Sequence, residues 1–129
     1  MRADRRGFVL LEAVAALLIV STAGIAVLAM VAAQLRVRAA AEELLVADAL
    51  ARERLLRFET MSRAELEPLA DSLSRGVFLP PFTGYRWQTT VDRQADEPDL
   101  IDLEIVIDWD GGSHRVQARM YRPARKAGA

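Results

Sequence analysis

The sequence predicts an α+β protein, with a long N-terminal helix, transmembrane and then amphipathic, packed on a small antiparallel sheet of about three strands. Three observations predict it. Residues 13–35 carry no charge. Residues 36–59 return to apolar positions every three or four residues. Residues 85–121 alternate apolar with polar side chains and are broken by turn-forming residues. With 129 residues and one apolar run set aside, the chain has room for a single small domain, near the lower limit for a self-sufficient core. Its 17 basic and 18 acidic residues give a net charge of −1, which offers nothing to nucleic acid. The absence of cysteine excludes disulfides, thiolate metal sites and a cysteine nucleophile. A single histidine, His114, excludes multi-histidine metal sites and histidine triads. The expectation is therefore no enzyme, no cofactor and no small-molecule substrate.

The first element begins behind a basic tip, Met1-Arg2-Ala3-Asp4-Arg5-Arg6-Gly7. The uncharged run Ala13–Leu35 spans about 34 Å as a helix, enough for a bilayer core of roughly 30 Å. Arginines ahead of it put the N-terminus in the cytoplasm and the remainder outside. A cleaved secretory signal has a shorter apolar core, although Val31-Ala32-Ala33 resembles its cleavage site. A plain signal anchor fits the composition but has no use for Glu12, which interrupts apolar sequence starting at Phe8. A carboxylate inside a membrane costs about 2.5–3.5 kcal/mol at mid-bilayer and less near an end, so Glu12 wants a cationic partner.

Gly7-Phe8-Val9-Leu10-Leu11-Glu12 followed by an apolar helix resembles the processing site of type IV prepilins. The resemblance implies cleavage between Gly7 and Phe8 by a prepilin peptidase, N-methylation of Phe8, and an assembly role for Glu12. The physical logic is consistent with it. Cleavage frees an α-amine at Phe8 that is cationic near neutral pH. Glu12 of one subunit and the Phe8 amine of a neighbour then offset each other's desolvation and fix axial register. The implied organisation is a leader at 1–7, a transmembrane and assembly helix at 8–35, an amphipathic stalk at 36–60 and a small periplasmic domain at 61–129. The implied location is the bacterial inner membrane, crossed once.

The stalk stripe runs Val37, Ala40, Leu44, Ala47, Ala51, Leu55 and Phe58. Its drift from a strict heptad favours core packing over a coiled coil. Major pilins often carry a helix-breaking proline at the position held here by Ala29, a departure that leans towards a minor subunit.

Beyond the stalk, Ser62-Arg63-Ala64-Glu65 fits a capping box and starts a short helix limited by Pro68 and Gly76. Pro80-Pro81 and Gly84 mark a loop; Phe78 and Phe82 beside them form either loop packing or an exposed patch. Tyr85–Val91 reads as a strand with Tyr85, Trp87, Thr89 and Val91 on one face. Leu100–Trp109 and Ser113–Tyr121 read as a hairpin. A Gly111-Gly112 loop pairs Asp110 with Ser113, Asp108 with Arg115, and Glu104 with Arg119. It also sets His114 opposite Trp109. Shifting the loop to Asp110-Gly111 keeps the faces but leaves only Asp102 with Arg119 as a charge pair. Asp92, Asp96, Glu97 and Asp99 form an acidic loop that is solvated by default, with calcium as a possible ligand. Arg122-Pro123-Ala124-Arg125-Lys126 reads as a frayed basic tail.

The stretch Leu10–Ile19, its continuation Ala23–Leu28, the Tyr85-Arg86-Trp87 strand and the alternating hairpin resemble the I-type minor pseudopilin of type II secretion. That resemblance implies a structural subunit at or near the pseudopilus tip that helps initiate filament assembly and protein export. Its implied partners are other minor and major pseudopilins, the prepilin peptidase and the inner-membrane assembly platform. The V-type minor pilin of type IV pili is the alternative, and a signal-anchored periplasmic binding domain the second.

Overall fold

The computed structural model describes residues 2–70 and 72–124. Helix α1 runs Arg2–Glu59, followed by the short helix α2, Arg63–Leu66, and a 3-10 turn, Glu67–Leu69. Four strands complete the chain: β1 Ser72–Val77, β2 Arg86–Arg93, β3 Leu100–Trp109 and β4 Gly112–Tyr121. The sheet is antiparallel throughout in the order β1-β2-β3-β4. The chain divides into two compact units, Met1–Ala40 and Ala41–Ala129.

The first unit is helix alone. An 18-residue window of mean hydropathy 2.6 makes it apolar and long enough to cross a membrane. That property fits a single membrane anchor or a signal sequence. Ser21 Oγ donates to the Leu17 carbonyl at 2.7 Å and Thr22 Oγ1 to the Ile19 carbonyl at 2.9 Å. Both hydroxyls are thus satisfied within the helix, as an apolar surrounding requires.

In the second unit the helix from Ala41 onward covers one face of the sheet. The buried stripe is Ala47, Leu50, Ala51 and Phe58, with Leu55 packed beside it. Val37, Ala40 and Leu44 from the expected stripe stay exposed, and Leu50 joins it. The two alanines let the helix backbone approach Val91, Ile101, Leu103, Ile105 and Ile107. Strand β3 carries the core because each of its odd-numbered residues from Ile101 to Ile107 is buried. Leu66 of α2 closes one end of this cluster. The Ser62 amide donates to the Glu65 carboxylate at 2.7 Å, the capping-box contact expected from the sequence.

The expected fold class holds, with four strands where about three were expected, and two other expectations, the Gly76 helix stop and the hairpin register, require correction. The sheet has four strands, because Ser72–Val77 pairs with β2 as an edge strand. Gly76, expected as a helix stop, lies inside β1, where a Cβ would meet the Trp87 ring at 2.7 Å. The hairpin turns at Asp110-Gly111, pairing Trp109 with Gly112, Asp102 with Arg119 and Ile107 with His114. The expected pairs Asp108–Arg115 and Glu104–Arg119 do not form. Solvated ion pairs are worth about 1 kcal/mol or less, too little to set register. The observed turn keeps the same faces and lets the Trp109 indole donate to Glu43 Oε2 at 2.9 Å. It also permits a charge contact on the diagonal, Arg115 to Glu104 at 3.7 Å.

Thr89 is 1% exposed and its hydroxyl has no hydrogen-bond partner among the described residues. Thr89→Val is expected to raise stability by about 1 kcal/mol, since it removes an unsatisfied buried hydroxyl at equal shape. Ala51→Leu is expected to lower it by about 1–3 kcal/mol by forcing the helix off the sheet. Denaturant unfolding of the full chain in detergent checks both.

Candidate functional site

The sequence points to Gly7, Phe8 and Glu12, and all three lie in α1. Phe8 and Glu12 are four residues apart and therefore share one helix face. Phe8 is 68% exposed, and Glu12 is exposed as well. No heavy atom lies within 4 Å of where a Cβ on Gly7 would sit, so nothing in the packing demands glycine there. Met1 of the expected leader lies outside the described residues.

Glu12 has no hydrogen bond or ion pair among the described residues, whereas the neighbouring hydroxyls are satisfied within the helix. Its carboxylate sits among Val9, Leu10, Leu11 and Val14, each 59–69% exposed. A carboxylate on an apolar, lipid-compatible face carries a desolvation cost unless it is protonated, reaches the interface or meets a cation.

In the second unit the polar contacts tie the helix to the sheet. Asp48 Oδ1 meets His114 Nε2 at 3.0 Å, and its other oxygen accepts from Arg52 Nε at 2.8 Å. The Arg52 hydrogen bond, followed by that from His114, holds the Asp48 carboxyl below the usual range. Arg119 binds Asp102 at 2.7 Å and lowers its pKa, assisted by Gln94. Arg63 donates to Asp99 at 2.8 Å and also to the Arg122 carbonyl. Arg122 in turn donates to the Glu59 carbonyl at 2.6 Å, capping the end of α1. Of the tail expected to fray, Arg122 and Ala124 are engaged: the Ala124 amide donates to Asp99. Arg125 and Lys126 lie outside the described residues.

The expected acidic loop is partly strand, since β2 extends through Asp92 and Arg93. Asp99 is turned to Arg63, and among the described residues no three carboxylate or imidazole groups converge to hold a metal. His114 packs against the helix, away from the expected position opposite Trp109. Phe78 packs on the core, while Phe82 is 38% and Leu79 83% exposed, so both expected roles of this loop occur. Sequence reasoning gave no sign of the Asp48–His114, Glu43–Trp109 or Arg54–Trp87 contacts, which join residues far apart in the chain.

No protein-family model, no curated protein and no solved structure matches this chain.

The depressed carboxyl pKa values have a signed consequence. Asp48, Glu65 and Asp102 all titrate below their ordinary values of 3.8 for Asp and 4.5 for Glu. Their contribution is full above those values and is lost as pH falls through the lowered ones. Thermal unfolding followed against pH is expected to show a midpoint that is level above the carboxylate range and drops below it. Asp102→Asn should flatten part of that drop, and the effect is small because the pairs face solvent.

Proposed function

We propose that this chain is a minor pilin-like filament subunit, most similar in role to the I-type pseudopilin of type II secretion. A long apolar N-terminal helix followed by a four-stranded antiparallel sheet is a pilin-like architecture. The observation that carries the reading is Glu12, an unpaired carboxylate on an exposed apolar helix, four residues beyond Phe8.

In this reading the peptide bond between Gly7 and Phe8 is cut on the cytoplasmic side, and the new Phe8 amine is methylated. Glycine in a helix interior costs about 1 kcal/mol relative to alanine, so the helix opens more readily at the cut. The amine stays cationic after methylation and pairs with Glu12 of a neighbouring subunit. Each group then leaves water or lipid headgroups only when both are present, which couples burial to correct register. The apolar side chains of residues 8–35 move from lipid into contact with other subunits' helices as the filament grows. The partners are other pseudopilins, the peptidase and the assembly platform in the inner membrane. The chain performs no chemistry of its own.

The V-type minor pilin shares the N-terminal pattern. Neighbouring genes for G-, H-, J- and K-type pseudopilins assign the chain to secretion, and pilus genes to the alternative.

Glu12→Val tests the role of the carboxylate. The variant is expected to insert in the membrane at the normal level but to be lost from sheared filaments, with Glu12→Asp retaining part of the incorporation. Incorporation of Glu12→Val at the native level would remove the pairing.

A further inference from the structure

Four arginines of the first unit bracket its apolar run. Arg5 and Arg6 precede it, Arg36 and Arg38 follow it, and all four are exposed. None forms an ion pair among the described residues, although Asp4 is next to Arg5 and Glu42 lies four residues beyond Arg38 in sequence. Arginines of the second unit behave otherwise: Arg52, Arg57, Arg63 and Arg119 each hold a carboxylate at 2.7–3.1 Å.

Arg36 follows Arg6 by thirty residues of one helix, which is about 45 Å. A bilayer with both headgroup layers is about 40–45 Å thick. The two pairs therefore fall in opposite headgroup layers at the same time, and between them Glu12 is the one ionisable residue. Apolar matching does not by itself set this depth. Residues 8–35 span about 42 Å against a hydrocarbon core of roughly 30 Å, which leaves the helix room to slide or tilt. Orientation does not account for the outer pair either, because arginines outside oppose the signal of those inside. A guanidinium on its long apolar stem reaches back to the headgroups and meets phosphate with a planar fork of donors.

We propose that Arg5 with Arg6, and Arg36 with Arg38, bind lipid phosphates in the two headgroup layers and act as opposed stops on sliding of the helix. Outward movement draws the inner pair into hydrocarbon, and inward movement draws in the outer pair. With both seated, Glu12 lies about 9 Å beyond Arg6, just inside the hydrocarbon, where a carboxylate costs less than at the centre. The consequence for assembly rests on the filament reading. A cut between Gly7 and Phe8 removes three arginines and one aspartate. The single amine left at Phe8 is balanced by Glu12 and does not replace the lost pair. Cleavage thereby turns a helix held in both directions into one that moves outward only, towards the side where the proposed filament forms.

The chain has no cysteine, so a nitroxide on Ala29→Cys, in the outer half of the run, is a unique marker of depth. The full-length protein is placed in phosphatidylethanolamine–phosphatidylglycerol vesicles, and the label's depth is measured from its accessibility to oxygen and to a nickel chelate. Arg36→Gln with Arg38→Gln should move the label about 5 Å deeper, one helical turn, and Arg5→Gln with Arg6→Gln about 5 Å shallower. Lysine at the same positions should keep the native depth. In vesicles of digalactosyldiacylglycerol, which has no phosphate, both shifts should shrink to less than half. Treatment with prepilin peptidase should reproduce the shift of the inner pair. A label unmoved by either glutamine pair, moved as far by lysine, or shifted as far in phosphate-free lipid overturns the proposal. If the shifts occur while the chain keeps residues 1–7 in its native membrane, the stops stand and the filament reading fails; if the chain is processed and the label does not move, the stops fail alone.

Discussion

One helix must cover the only buried face of a four-stranded sheet, and that constraint organises the folded unit. Ala47 and Ala51 are there because larger side chains would hold the helix away from the row Ile101, Leu103, Ile105 and Ile107. Apart from the buried Thr89 hydroxyl, the polar contacts between the two layers sit at their margins. Asp48 with His114 and Glu43 with Trp109 hold one margin, and Arg122 on the Glu59 carbonyl holds the other. The opposite face of the sheet is largely polar, and Arg119 with Asp102 and Arg115 with Glu104 make ion pairs across it. Gly111 shows how tightly the margin is built: a Cβ there would lie 2.5 Å from Glu43 Oε2.

The same economy sets the chemistry of the N-terminal unit. Its large apolar side chains are exposed, and its hydroxyls are satisfied by the helix backbone. Glu12 is the exception, and a membrane penalty of about 2.5–3.5 kcal/mol, less near an end, makes that exception informative. A charge retained under such a penalty gains its value when another molecule supplies the counter-charge. The proposed role as a filament subunit follows from that requirement, and a free amine at Phe8 is the cation the chain itself can provide.

Much of this was legible from sequence because period and burial agree. The period of two in β3 and β4 gave both faces of the hairpin, and the run 13–35 gave the apolar helix. Strand β1 was hidden because its apolar residues Leu73 and Val77 face outward and are exposed, while small residues face inward. The hairpin register was missed by weighing surface charges above the turn and the Trp109 contact. The candidate site was legible as residues, Gly7, Phe8 and Glu12, because their pattern is local. Arg54 over Trp87 was not, since 32 intervening residues separate a helix position from a strand position and neither carries a local motif.

The most direct measurement of the central claim is the intact mass of the protein extracted from its native membrane. The account predicts a chain that begins at Phe8 and carries one added methyl group, having lost the segment from Met1 to Gly7. A chain that retains Met1 through Gly7 in a host with an active prepilin peptidase would contradict it, leaving Glu12 without the amine it is proposed to meet.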